Sequence, residues 1–346
     1  MNKLIDLRSD TVTQPTQAMR DAMYRAEVGD DIMGEDFTVK RLEEMSANLL
    51  GKEAAMFVTS GTMGNQLAVM ALANRGEEII VGDTSHIFNL EVGGLAALSQ
   101  VQTRSLPIPN GYYDIEKLGN LIQEPGIQTA KTSMVCVENT NNLNAGLVVD
   151  QTNLDDVYSL AKSKGLYVHM DGARIFNASV KSGVPVDRIV SGSDTVMFAL
   201  TKGLSAPFGA ILAGEKDVIA KARWFKQRIG GGYRQAGLLA APGIVALETM
   251  IPRMVEDHDN AQFLGNELSN IEGLNVDTSR IHTNIVVASL ENLQVTIEEF
   301  IQALISNNIK VKRISKTSFR MVTHYGIDRD DLLVVINVIN KIISEI

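Results

Sequence analysis

The chain has 346 residues, with 32 basic and 41 acidic side chains, a formal net charge of -9 and 45% apolar residues. This composition is typical of a globular protein and argues against a disordered or fibrous chain, while the acidic balance argues against nucleic acid as a partner. Cys136 is the single cysteine, so the chain can form neither an intramolecular disulfide nor a cysteine-rich metal site.

Short apolar segments alternate with amphipathic ones up to about Pro252. The predicted strands are Ala55–Val58, Ile79–Val81, Met134–Val137, Leu166–His169, Thr195–Ala199 and Ala210–Leu212. The predicted helices between them are Val39–Leu50, Met63–Asn74, Leu154–Lys164 and Asp217–Arg228. Strands this short and apolar are typical of a mostly parallel sheet covered by helices on both faces, which predicts an α/β fold.

The pattern changes after Pro252. Predicted helices are Asp257–Asn270, Thr296–Ser306 and Asp330–Ile343, and predicted strands are Thr283–Ser289, Lys310–Ile314 and Phe319–Thr323. We therefore predict a large domain over residues 1–252 and a smaller α+β domain over residues 253–346. The N-terminus lacks the apolar stretch of a signal peptide, and no charge-free run is long enough to cross a bilayer, so we expect a cytoplasmic protein without a membrane partner.

Polar clusters follow several predicted strands, which is where sheets of this kind bind their ligands. The segment 59–65 follows the first strand and begins a helix, whose free N–H groups suit an anion, although Ser and Thr are also ordinary helix caps. His86 follows the second strand; it is suited to stacking on a flat ring or relaying protons, or it is a solvated loop histidine.

Asp171 and Lys202 each follow an apolar strand, 31 residues apart. A carboxylate in that place pairs with a protonated ring nitrogen or with a nearby helix start. Desolvation would make Lys202 a nucleophile for carbonyl groups; the alternative is a lysine that reaches solvent from the sheet edge. Arg234 and Arg320 each suit a carboxylate or phosphate, or a surface ion pair.

The combination of these clusters indicates a site for pyridoxal phosphate. In chain order come an anion-binding helix start, a ring-stacking histidine, a strand-end aspartate and a strand-end lysine. Lys202 would form the Schiff base, Asp171 would hold the pyridine nitrogen, and the helix start would bind the phosphate. No group of His, Asp or Glu has convincing spacing for metal ligands, so we expect no metal.

Eight segments carry a more specific resemblance: Ile5–Met19, Gly29–Asp36, Ser60–Gln66, Asp83–Gly94, Glu138–Thr140, His169–Ala178, Thr201–Ala210 and Gly230–Gly237. With these motifs the chain resembles the low-specificity L-threonine aldolases, pyridoxal-phosphate enzymes of the aspartate-aminotransferase fold type. The resemblance implies fold type I, with a mostly parallel seven-stranded sheet wrapped by helices and a smaller C-terminal α+β domain. It also implies cleavage of L-threonine or L-allo-threonine to glycine and acetaldehyde.

The resemblance further implies roles for individual residues. The implied catalytic residues are Lys202, His86 and Asp171. The implied cofactor-binding residues are Gly61, Thr62, His86, Asp171, Arg174, Lys202 and Arg234, with Arg234 reaching the phosphate of a neighbouring subunit in a homodimer or homotetramer with shared active sites. The implied substrate-binding residues are Ser9, Arg174, Arg320, Asn141 and Glu91.

Asn141 stands where the family often has a histidine facing the substrate's β-hydroxyl, and it can only hydrogen-bond near neutral pH. The base for that hydroxyl is therefore His86, or a water held by His86, Glu91 or the cofactor phosphate. The same residues also suit a β-eliminating lyase, a racemase or an aminotransferase. The presence of Lys202 argues against a non-catalytic binding module, and a Rossmann dehydrogenase lacks its glycine fingerprint here.

Overall fold

The computed structural model describes residues 3–291 and 294–345. The strands in these residues are β1 Ile5–Asp6, β2 Ala54–Val58, β3 Glu78–Gly82, β4 Gln102–Leu106, β5 Thr132–Glu138, β6 Tyr167–Asp171, β7 Thr195–Ala199, β8 Ala210–Gly214, β9 Leu274–Asn275, β10 Ile285–Leu290, β11 Ile309–Lys310, β12 Lys312–Arg313 and β13 Ser318–Val322. The helices are α1 Gln17–Arg25, α2 Phe37–Leu49, α3 Gly61–Leu72, α4 His86–Asn89, α5 Ile115–Leu121, α6 Gln151–Ser163, α7 Ile175–Ser182, α8 Val186–Ile189, α9 Lys216–Arg228, α10 Gly237–Leu268, α11 Ile297–Ser306 and α12 Arg329–Ser344.

Seven strands form the central sheet in the order β2-β8-β7-β6-β5-β3-β4. Only β8 runs antiparallel to its neighbours, so the sheet is mostly parallel, as the sequence predicts. The sheet also contains β4, which the sequence reasoning missed. This strand reads Gln-Thr-Arg-Ser-Leu and lies at the sheet edge, where exposed polar side chains hide the apolar pattern of a strand.

Polar caps fix where the helices around this sheet begin. Asp36 accepts from the backbone N–H of Val39, the side chain of Ser60 accepts from the N–H of Met63, and Asp150 accepts from Thr152. Such side chains satisfy backbone donors that lack a partner in the first helical turn. Each cap follows a loop or strand end, so the helices return along the sheet and bury their apolar faces against it.

The C-terminal unit is a second sheet, in the order β12-β13-β10-β9, with all pairs antiparallel. Side chains alternate along β13: Phe319 and Met321 are fully buried in a core shared with α11 and α12, and Arg320 points to the opposite face. Val287 of β10 lies opposite Arg320 in the register. The alternation thereby directs one arginine away from the small core.

Two features differ from the predicted domain division. The predicted boundary at residue 252 lies inside α10, which continues through Pro242 and Pro252 and joins the two units. At the other end of the chain, β1 pairs in parallel with β11, and the carbonyl of Leu7 accepts from the N–H of Val322 at 2.8 Å. The N-terminal residues therefore add to the second core, because strand pairing satisfies their backbone groups there.

Helix α10 is long and apolar enough, by length and composition, to cross a membrane, and among the described helices it is the one that meets this criterion. Half of its most apolar window is buried inside the protein. An apolar helix packed between other elements has this composition because it is buried on several sides. Its apolar character is therefore explained by packing.

Candidate active site

The site lies at the carboxyl edge of the central sheet. Parallel strands end at the same edge, so the residues that follow them meet there. The residues placed in this way are Gly61 and Thr62 after β2, His86 after β3, Asn142 after β5, Asp171 at the end of β6 and Lys202 after β7. The predicted cradle, histidine, aspartate and lysine are thus brought to one end of the sheet.

The amine of Lys202 lies in an electrostatic environment suited to nucleophilic chemistry. Burial and the nearby Arg174 lower the pKa of Lys202 to about 8, although the Asp10 and Asp171 carboxylates act in the opposite direction. An ordinary lysine is almost wholly protonated at neutral pH. The lowered pKa makes the neutral amine, which is the form that attacks an aldehyde, far more abundant.

This pKa predicts the pH dependence of covalent cofactor attachment to the cofactor-free protein. Below about pH 8 the protonated fraction of Lys202 dominates, so the attachment rate should rise about tenfold per pH unit and level off above pH 8. The rate is measured by stopped-flow absorbance after mixing with pyridoxal phosphate. A rate that keeps rising to about pH 10, as for a solvated lysine, would contradict the lowered pKa.

Asp171 and His86 lie in one buried hydrogen-bonded cluster. Asp171 accepts from the N–H of Ala173 at 3.1 Å and from Asn65 Nδ2 at 2.9 Å. His86 Nδ1 lies 3.0 Å from Glu91 Oε1, and this hydrogen bond raises the pKa of His86. The ligand atoms of His86, Glu91 and Asp171 all lie within 4.8 Å of one another, close enough for a metal ion, which their sequence spacing did not indicate.

Glu91, which the resemblance assigns to the substrate, is instead enclosed by protein groups. Its side chain is fully buried, and its two oxygens accept from Asn65 Nδ2 at 2.7 Å and from Gln66 Nε2 at 2.9 Å, in addition to the contact with His86. With its oxygens occupied in this way, Glu91 orients His86, and its predicted contact with the substrate stays a prediction.

The start of α3 fits the predicted anion cradle. Ser60 caps the helix by accepting from the N–H of Met63, which leaves the N–H groups of Gly61 and Thr62 for a bound anion. A side chain at position 61 would bring its Cβ to 3.0 Å from Met197 Cε. The absence of a side chain at position 61 allows close approach of a phosphate to the backbone.

Arg174 forms a buried pair with Asp10. Its Nε and Nη2 donate to the two oxygens of Asp10 at 2.7 and 2.6 Å, and both side chains are almost wholly buried. Burial opposes ionisation of Asp10, but Arg174 outweighs it and holds the pKa of Asp10 well below its usual range. Arg174 therefore uses Nε and Nη2 for Asp10, and its Nη1, with two hydrogens, faces Asn142.

Arg320 and Arg174 meet at one amide oxygen. Arg320 Nη1 and Arg174 Nη1 both donate to Asn142 Oδ1, at 3.1 and 3.2 Å. Arg320 Nε is buried and has no partner among the described residues, and burial together with Arg174 lowers the pKa of Arg320 to about 10. Arg174 is already paired with Asp10, whereas Arg320 has only neutral acceptors, Asn142 and the Arg8 carbonyl, and an unused donor. Such a guanidinium group forms a site for a carboxylate.

The sequence reasoning missed the residues that hold this arrangement in place. Glu138 ends β5 and accepts from the backbone N–H groups of His86 and Asn142, at 2.7 and 2.8 Å. Burial and the charge of Asp171 raise the pKa of Glu138 to about 7. One carboxyl group thus ties the histidine loop to the loop that contacts the arginines. A polar residue at the end of a wholly buried strand was the available signal.

Three predicted site residues have other surroundings. Asn141 is fully buried, its Oδ1 accepts from the N–H of Asn144, and its Nδ2 has no partner among the described residues. Its predicted place facing the β-hydroxyl stays a prediction, and the neighbouring Asn142 lies beside the arginines. Ser9 caps the turn Asp10–Val12 by accepting from Thr11. Arg234 is paired with Asp30 of the same chain at 2.6 Å and is largely exposed, so its predicted contact with a neighbouring subunit stays a prediction.

A family model for beta-eliminating lyases matches residues 6–291 of the chain. The chain is 39% identical to "Low-specificity L-threonine aldolase 1" of Arabidopsis thaliana, covering 95% of this chain and 93% of that protein. It is 37% identical to "Low specificity L-threonine aldolase" of Escherichia coli strain K12, covering 95% and 96%. A solved threonine aldolase of Leishmania major superposes with a TM-score of 0.84 at 19% identity, covering 98% and 99%.

Proposed function

Because the chain belongs to the beta-eliminating lyase family, we propose that it cleaves the Cα–Cβ bond of L-threonine and L-allo-threonine to give glycine and acetaldehyde. The protein is accordingly an enzyme, a carbon–carbon lyase. The observation that carries the proposal is the meeting of Lys202, Asp171 and His86 with the arginine pair at one sheet edge. The names of the related proteins and the geometry of the site support the same reaction.

The residues present fit pyridoxal phosphate. Lys202 offers a partly buried amine of lowered pKa, Asp171 offers a carboxylate for the pyridine nitrogen, and the start of α3 offers backbone donors for the phosphate. His86, which is partly exposed, offers a flat ring for stacking. When bound, this cofactor supplies a protonated ring that accepts the electrons of a bond broken at Cα.

The two arginines would orient the substrate. Arg320, with its free Nε, and Arg174, with Nη1, would bind the α-carboxylate of the amino acid, while Asn142 fixes the distance between the guanidinium groups. A carboxylate held in this way limits rotation about the bonds to Cα. Fixed orientation selects which bond breaks and removes part of the entropic barrier.

His86 is the residue placed to remove the proton of the β-hydroxyl. Its Nδ1 is bonded to Glu91, which leaves Nε2 without a partner among the described residues. Glu91 is enclosed and cannot take the proton itself. We therefore assign proton removal to His86 Nε2, directly or through one water, with Glu91 stabilising the protonated ring.

Replacing Arg320 with leucine should raise the KM for L-threonine about 10- to 100-fold, the value of one charge-assisted hydrogen bond. Cofactor affinity should change little, because the hydrogen bonds of Arg320 go to Asn142 and the Arg8 carbonyl and not to the helix start that would bind the phosphate. The matched control is Arg313→Leu in the same small sheet, whose side chain pairs with Glu298. An unchanged KM in Arg320→Leu would show that the carboxylate binds elsewhere.

The reaction is tested by product analysis on L-threonine, L-allo-threonine and their D isomers. We expect equimolar glycine and acetaldehyde from the L isomers and none from the D isomers. Ammonia with a 2-oxo acid would instead identify a β-eliminating lyase, and formation of the D isomer would identify a racemase. Either of these outcomes, without aldehyde, would overturn the proposed reaction.

Assembly and location are further parts of the proposal. We propose a homodimer or homotetramer with shared active sites, supported by large apolar side chains that are mostly exposed on the single chain: Tyr24 at 90%, Met33 at 69%, Phe37 at 62% and Val92 at 99%. Association would remove this surface from water. A cytoplasmic location is supported by the single cysteine, Cys136, which is free and buried.

A further inference from the structure

Two buried carboxylates in the site share one amide. Asn65 Nδ2 donates to Glu91 Oε1 at 2.7 Å and to Asp171 Oδ2 at 2.9 Å. An amide nitrogen carries two hydrogens, so it can serve both acceptors at once. Asn65 is completely buried in α3 and is the side chain that contacts both carboxylates in the described residues.

A second chain of contacts fixes which way this amide points. Asn65 Oδ1 lies 2.9 Å from His169 Nε2, and His169 Nδ1 lies 2.9 Å from Thr195 Oγ1. Carboxylates only accept hydrogen bonds, so the amide nitrogen must face Glu91 and Asp171 and the amide oxygen must face His169. Burial lowers the pKa of His169 to about 4, so the ring is neutral and carries its one hydrogen on Nε2.

The amide of Asn65 donates to two neighbouring negative groups. Two carboxylates that lie within 4.8 Å of each other in a buried site repel each other, and hydrogen-bond donors between them offset this repulsion. Asp171 has one further donor, the N–H of Ala173, and Glu91 has Gln66 and His86. Asn65 joins these two sets into one continuous chain of hydrogen bonds.

We propose that Asn65 is a positioning residue, held in place by His169 and Thr195, that fixes the Asp171 carboxylate and couples it to the Glu91–His86 pair. The inference rests on the proposed function, because it assigns Asp171 to the pyridine nitrogen and His86 to the ring and the β-hydroxyl. Through Asn65, one network of hydrogen bonds fixes the positions of both Asp171, which would pair with the pyridine nitrogen, and His86, which would remove the proton. Asn65 itself does not touch the reacting atoms.

The first test compares two neighbouring substitutions in α3. Asn65→Leu removes the donor to both carboxylates and should lower kcat about 10- to 100-fold while the KM for L-threonine changes little. It should also raise the dissociation constant of pyridoxal phosphate, which is measured by fluorescence titration. Gln66→Leu removes one donor from Glu91 alone and should cost clearly less in both quantities. Equal losses in the two variants, or a change confined to KM, would overturn the proposal.

The second test needs neither turnover nor a variant. In the cofactor-free wild-type protein, the ring ¹⁵N chemical shifts of His169 should report a neutral ring with the hydrogen on Nε2 from pH 6 to 8. A hydrogen on Nδ1 would mean that the amide oxygen of Asn65 faces the carboxylates, and the proposal would fail even if threonine is cleaved. If no aldehyde forms while the expected tautomer and the affinity loss are seen, the reaction is wrong and the hydrogen-bond assignment is supported.

Discussion

Replacing Lys202 with alanine should remove turnover, by at least about a thousandfold, together with the visible absorbance of the bound cofactor. Lys202 is the partly buried amine at the carboxyl edge of the sheet, and burial has lowered its pKa to about 8. Alanine has no nucleophile to bind the cofactor aldehyde, so the cofactor would be held by noncovalent contacts alone. Activity is measured as acetaldehyde release and attachment by the absorbance spectrum.

Lys52→Met is the matched control for this substitution. Burial also lowers the pKa of Lys52, but its amine donates to the carbonyls of Val190 and Ser193 at 2.8 and 2.6 Å. Lys52 precedes β2 and so lies at the amino edge, away from the site. The control should keep both absorbance and turnover. Full activity in Lys202→Ala would refute the assignment of the nucleophile.

Replacing Asp171 with asparagine should leave some cofactor bound and reduce kcat by about 100- to 5,000-fold. Breaking one buried charge pair costs about 3–5 kcal/mol, and each 1.36 kcal/mol is tenfold in rate. Asparagine preserves the shape but cannot hold a positive charge on the pyridine nitrogen, so the ring becomes a poor acceptor of electrons. The measurements are kcat and the dissociation constant of pyridoxal phosphate.

Asp194→Asn is the corresponding control for Asp171. Asp194 precedes β7 at the opposite edge of the sheet and accepts from the N–H of Val168 at 2.6 Å. Burial raises the pKa of this carboxyl group, so it tests removal of a buried acid away from the site. Near-normal kcat in Asp171→Asn would contradict the electron-acceptor role, whatever the control shows.

The sequence was most informative where a chemical group follows an apolar strand. β6 and β7 consist almost wholly of buried residues, so their ends could be recognised, and with them the positions of Asp171 and Lys202. The predicted α/β fold with a mostly parallel seven-stranded sheet is confirmed by the structure, and the resemblance to threonine aldolases is confirmed by the comparisons. The individual residue roles stay predictions.

Contacts between distant parts of the chain could not be predicted from the sequence. Asp10 and Arg174 are 164 residues apart, and nothing in the local pattern pairs them. In the loop after β5, a shift of one residue decides that Asn142 and not Asn141 meets the arginines. Such an offset depends on the loop's backbone path, which composition and periodicity do not determine.

The sequence carries a stronger signal for Asn65 than for these contacts. Asn65 and Gln66 are large amide side chains in an otherwise largely apolar, buried helix. Burial of an amide is costly without partners, so their presence in such a helix predicts a polar network next to it. The same reasoning applies to His169, a polar residue inside an apolar strand. Polar residues at core positions are therefore useful markers of a site.

Hydride reduction of the protein loaded with pyridoxal phosphate, followed by proteolysis and mass spectrometry, tests the central claim most directly. Reduction makes the bond between the cofactor and its lysine permanent, so the modified residue can be read from the peptide. The account predicts a single modified peptide, with the cofactor on Lys202. A protein that stays colourless with added cofactor, or an adduct on another lysine, would contradict it.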